Sequence, residues 1–87
     1  MTVFMVERDL KGITIPGLAA AQQAAIAQGK QMTEAGTPIH YIRSSFVPED
    51  GRCFCLFEGA SPSDVKKLND DAKIPYLRVV EALDLTP

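Results

Sequence analysis

At 87 residues the chain has room for one domain and not two, since independent domains run to about 100–150 residues. With 46% apolar and 23% charged residues it is composed like a folded globular protein, which sets aside disordered and fibrous classes. A net charge of −2 argues against a phosphate-binding footprint, and no apolar run reaches the about 18 residues of a membrane helix, so neither nucleic acid nor membrane is an expected partner. Met1 to Leu10 already carries Glu7, Arg8 and Asp9 and lacks the basic-then-apolar layout of a secretory signal; the expected location is cytoplasmic.

Thr2 to Arg8 is rich in β-branched and aromatic residues with both parities apolar, the pattern of a central strand covered on both faces. Lys11-Gly12 marks a turn. From Pro16 to Ala35 an Ala- and Gln-rich helix is predicted, with Pro suited to its first turn and Gly36 to the residue beyond its end. Its inner seam is Leu18, Ala21, Ala25 and Met32, with Gly29 on the same stripe. Gly29 costs roughly 1 kcal/mol against Ala in a helix interior, so close packing on the sheet is its expected compensation.

Ile39 to Val47 and Arg52 to Glu58 read as strands joined by Pro48-Glu49-Asp50-Gly51, in which Pro fixes one φ and Gly accepts a left-handed one. Ser61-Pro62-Ser63-Asp64 opens a second helix with Ser61 as N-cap and Asp64 closing a capping box; Val65, Leu68 and Ala72 form its seam. Pro75 ends that region, and Leu77 to Leu83 is the last strand. Cys53 and Cys55 are strand neighbours on one face, about 6.5–7 Å apart at Cα and badly oriented for a disulfide. They are expected to stay reduced and to face the helices.

The order strand, helix, strand, strand, helix, strand gives one α+β domain over residues 1–87, a ferredoxin-like βαββαβ fold with a four-stranded antiparallel sheet and both helices on one face. With Val47 opposite Arg52, parity assigns His40, Ile42, Ser44, Phe46, Cys53, Cys55 and Phe57 to the helix side. The other side receives Ile39, Tyr41, Arg43, Ser45, Val47, Arg52, Phe54, Leu56 and Glu58. Aromatics mixed with charges suit a homodimer built through the open sheet face and enclosing a partly polar cavity.

His40 is the only histidine, and the antiparallel hairpin brings Glu58 beside it. Imidazole with carboxylate is a divalent-metal pair, incomplete in one chain and doubled across a dimer axis. Glu7 is a second candidate carboxylate, at the opposite end of the sheet, so it joins His40 only through the other subunit. The competing reading is a dimeric α/β barrel that binds or transforms a small molecule, with Tyr41, Arg43 and Glu58 lining a cavity between sheets, Arg43 gripping an anion and Glu58 acting as acid or base. A third is a structural or regulatory interaction module. No phosphate-binding glycine loop and no Cys-x-x-Cys is present, and where heavy-metal domains of this fold carry their cysteine loop the chain reads Glu7-Arg8-Asp9-Leu10-Lys11-Gly12.

Phe4-Met5-Val6-Glu7-Arg8, Tyr41-Ile42-Arg43-Ser44, Phe54-Cys55-Leu56-Phe57-Glu58-Gly59-Ala60 and Ile74-Pro75 resemble the strand signatures of a family of small bacterial nickel-responsive, nickel-binding ferredoxin-like proteins. The chain departs from that pattern at Cys53, a second thiol, and at Ser45, where Tyr is commoner. The resemblance implies a non-enzymatic homodimer with affinity for nickel; zinc and cobalt share the same ligand preferences. His40, Glu58 and Glu7 are the metal ligands this chemistry favours.

Overall fold

The βαββαβ order is observed as β1 (Thr2–Asp9), α1 (Ile15–Glu34), β2 (Ile39–Val47), β3 (Arg52–Gly59), α2 (Pro62–Asp71) and β4 (Arg78–Ala82), in a computed structural model that describes all residues from Met1 to Pro87. The sheet order is β2-β3-β1-β4, every neighbouring pair antiparallel, as the ferredoxin-like α+β fold requires. No helix is long and apolar enough to cross a membrane.

Local chemistry sets the helix ends. Thr14 Oγ1 accepts the Gly17 N–H at 3.1 Å, and Pro16 occupies a first-turn position whose missing N–H leaves no bond unmade. At the far end Gly36 N donates to Thr33 O and Thr37 N to Met32 O, the two bonds of a Schellman stop. Ser61 Oγ caps α2 by accepting the Asp64 N–H at 3.2 Å. The same stop recurs after α2, where Lys73 N bonds Asp70 O and Ile74 N bonds Asn69 O; Lys73, not a glycine, holds the left-handed position at φ 59°.

Both helices lie on one face, over Phe4, Val6 and Phe57, with Ala25, Met32, Val65 and Leu68 packed down from above. A Cβ at Gly29 would stand 3.4 Å from Ile39 O on the sheet and 3.5 Å from Leu68 Cδ1 on α2, ordinary van der Waals distances that an alanine would also fit. The close packing expected to compensate for a glycine inside a helix is therefore not what this position shows.

The hairpin register agrees with parity from Val47↔Arg52 to Arg43↔Leu56 and then breaks. A β-bulge between Tyr41 and Arg43 leaves Ile42 without a partner, so Tyr41 pairs with Phe57, His40 with Glu58 and Ile39 with Gly59. The one-residue slip reverses the first part of β2. Ile39 and Tyr41, expected on the open face, lie on the helix side; His40, expected on the helix side, lies on the open face. Ile39 becomes a fully buried core residue by this reversal.

Candidate functional site

The open face carries its charges at the rim and its apolar side chains in the middle. Because directly paired residues share a face, Met5 and Val80 from β1 and β4 stand beside Phe54 and Leu56 of β3, all partly buried. At one end Glu7 is held between Arg78, at 2.7 Å, and Arg52, at 3.5 Å. Arg43 pairs with Asp84 of the segment that follows β4. Beyond them, Leu83 and Leu85 project into solvent at 79% and 81% exposure.

At the other end the bulge has brought His40 directly opposite Glu58. Directly opposed residues have Cβ atoms about 4.5–5.5 Å apart, within bridging distance for one cation. The structure therefore joins two of the three candidate metal ligands and leaves the third apart. Glu7 pairs with Phe54, four residues along β3 from Glu58, about 13 Å away, and its carboxylate is engaged by two arginines. The donor types suit nickel, but their number within one chain falls short: no group of three or more His, Cys, Asp or Glu side chains comes together.

The alternative constellation is divided. Arg43 and Glu58 share the open face, while Tyr41 lies on the helix side with its ring edge against Phe57, centroids 5.4 Å apart. Its hydroxyl meets Ser44 Oγ and accepts from Gln22 Nε2 on α1. A pocket between sheets built from Tyr41, Arg43 and Glu58 is thus not the arrangement this chain makes.

Polar residues that sequence reasoning passed over meet under the helices. Arg8 is 2% exposed and bonds β3, α2 and the connection after α2: Nε donates to Cys55 Sγ at 3.3 Å, one terminal nitrogen to Asn69 Oδ1 at 2.7 Å, the other to Pro75 O at 3.2 Å. Ser44 Oγ donates to Cys55 Sγ at 2.9 Å, and the two sulfurs lie 3.8 Å apart without a disulfide. Asn69 turns its amide back to Val65 O at 2.8 Å. Both thiols face the helices as expected, but as members of this network and not only as small apolar filler.

Burial, reinforced by the neighbouring Cys55, pushes the Cys53 thiol up from 9.0 to about 11. The folded chain then holds that proton to higher pH than the unfolded one, so the stability conferred is complete below about pH 9 and is lost as pH rises through about 11. Urea midpoints measured from pH 7 to 11 are expected to be level up to pH 8.5 and to decline above 9, with a shallower decline in Cys53→Ala. Equal alkaline slopes in the two proteins would show that Cys53 does not contribute.

Fold and open face together define a small ferredoxin-like α+β protein whose exposed sheet presents a His–Glu pair at one end and an arginine-clamped glutamate at the other. Residues 4–82 match the family described as "Nickel responsive protein SCO4226-like", and the chain belongs to that family. It is similar in structure to SCO4226 from Streptomyces coelicolor A3(2), with a TM-score of 0.80 and 27% identity over 98% of this chain and 99% of that one. Among curated proteins there is no match.

Proposed function

We propose that the protein is a non-enzymatic homodimer that binds a divalent cation, nickel first, using His40 and Glu58 of both chains. The observation that carries this reading is the pairing of the sole imidazole with a carboxylate on the open sheet face, at the level of one cross-strand pair. Two protein ligands make an incomplete site, and a two-fold axis beside them supplies four, a sufficient set with water for nickel, zinc or cobalt. The family's description as nickel responsive favours nickel among the three.

Dimerisation through the open face is supported by its composition: Met5, Phe54, Leu56 and Val80 are apolar, and Leu83 and Leu85 stand exposed at its margin. A stable pairing should bury more than about 1,000 Å² in total. Glu7, with Arg78 and Arg52 on it, serves that interface better as an ion-paired rim than as a ligand.

Tag-free protein titrated with nickel, zinc and cobalt chlorides by calorimetry, alongside light scattering, tests both halves. The expected result is a dimeric mass, one nickel per two chains, near-complete loss of binding in His40→Ala and a partial loss in Glu58→Gln. Because the metal must displace the proton from imidazole, affinity should also weaken on acidification. A monomeric mass at micromolar concentration would remove the dimer, and an unchanged titration in His40→Ala would remove the imidazole site.

A further inference from the structure

Between α1 and the sheet lies a second feature, independent of the open face. A cavity of about 230 Å³ runs under the N-terminal half of α1, roofed by Leu18, Ala21 and Ala25 and floored by Arg8, Cys53 and Cys55. Protein interiors are packed like organic crystals, with few voids larger than a water molecule. For scale, an engineered apolar cavity of about 150 Å³ accepts benzene. The space exists because, beyond Leu18, α1 turns the alanines Ala21 and Ala25 toward the floor. Its exposed lining residues Ile15, Ala19 and Gln22 mark a mouth at the helix surface, so a solute has a way in.

The charge on the floor has no counterion. Arg8 takes part in none of the four salt bridges. Its partners are a sulfur, an amide oxygen and a backbone carbonyl, which use three of its five N–H bonds. A buried guanidinium is normally matched by a carboxylate, because an isolated charge out of water is costly. Here the bonds to Asn69 and Pro75 fix the orientation of the guanidinium and leave the charge itself unbalanced beside an apolar space.

We propose that this chamber is a binding site for a small organic carboxylate with an apolar body, a single ring or a short branched chain, whose carboxylate pairs with Arg8 and whose body lies under Ala21 and Ala25. Arg is suited to this because its planar fork matches a carboxylate. The apolar roof and walls reject inorganic anions, which would leave most of the chamber unfilled. The volume excludes long-chain lipids.

Calorimetric titration and ¹⁵N-NMR of the native protein with benzoate and hexanoate, against benzamide and sodium chloride, test the site. Saturable binding of at least one carboxylate is expected, with amide shifts at Ala21, Ser44 and Cys55 and none at His40, and with at least about tenfold weaker binding of benzamide. Arg8→Met should lower carboxylate affinity at least about tenfold, and Arg8→Lys by less. If Arg8→Met does not fold, Ala21→Leu, which fills the chamber from the helix and leaves the network intact, should abolish binding on its own. No saturable binding of either carboxylate to the native protein, equal binding of benzamide, chloride reproducing the same shifts, or unchanged affinity in Ala21→Leu would each overturn the assignment. His40→Ala should leave carboxylate binding as it is, so this outcome is read separately from the metal titration.

Discussion

Phe57→Ala is expected to destabilise the domain by about 3–5 kcal/mol, the largest effect of any single truncation on β3. The ring is fully buried, sits opposite Phe4 in the central strand pair and receives Tyr41 edge-on. Its loss removes transfer free energy and leaves a void that neighbours held by two sheet ladders cannot close. An edge-to-face pair adds about 0.5–1.5 kcal/mol beyond the area buried. A domain of this length has about 4–13 kcal/mol in all, so Phe57→Ala removes about a quarter or more of it and should unfold at a much lower urea concentration than the native chain. Urea unfolding followed by far-UV circular dichroism measures it. Phe54→Ala, three residues away on the opposite face, is the companion experiment. In an isolated chain its partly exposed ring should cost less, under about 1.5 kcal/mol. If the open face is a dimer interface, the cost should grow as protein concentration rises. A loss in Phe54→Ala equal to that in Phe57→Ala at high dilution would mean that the two faces of β3 are not inner and outer at all.

The contrast between these residues was readable from alternation alone along β3, where Cys53, Cys55 and Phe57 share one parity and Phe54, Leu56 and Glu58 the other. The same rule served β2 from Val47 back to Arg43, because the short Pro48–Gly51 loop pins the pairing there. It failed at Ile42 for a physical reason. His40-Tyr41-Ile42-Arg43 has one apolar and one polar residue on each parity, so hydrophobicity casts no vote for either register, and a bulge of one residue is invisible. That single residue decides the candidate site, since it carries His40 to the face of Glu58 and takes Tyr41 away from Arg43. Arg8 follows Phe4 and Val6 on the core parity, but a charge at the end of a strand reads as the strand's exit into water. Asn69 likewise belongs to the stripe of Val65, Leu68 and Ala72, at the i+4 position from Val65. Two polar residues, each on an otherwise apolar seam and on elements that pack together, are the sequence signal of a buried polar contact. No periodicity argument reports the alanine-roofed cavity beside them, because void volume depends on how far α1 stands from the sheet.

That spacing is anchored at the loop end of the β2–β3 hairpin, where Gly51→Ala should cost about 3 kcal/mol or more. Replacing Gly by Ala in a compatible conformation usually gains about 0.4–1 kcal/mol by restricting the unfolded chain. Gly51 has φ +75°, where an L side chain pays about 1–2 kcal/mol, so the gain is already cancelled. A Cβ there would also stand 2.4 Å from Lys11 Cα and 2.7 Å from Lys11 N. These are backbone atoms, and the Leu10 N–H bonded to Gly51 O at 2.8 Å ties that turn to the hairpin, so neither side can yield cheaply. Gly12→Ala isolates the two contributions: φ is +86° and a Cβ would meet nothing within 4 Å, so only the conformational cost of about 1 kcal/mol remains. Thermal or urea unfolding of the two variants should therefore differ by about 2 kcal/mol. Equal losses would show that the Lys11 turn moves aside freely. The consequence reaches the chamber under α1, because Leu10 forms part of its wall and Cys53 and Phe46 lie one register step from the hairpin loop. Pushing the Lys11 turn outward would open that wall, and Gly51→Ala protein that still folds should bind benzoate more weakly than Gly12→Ala protein does.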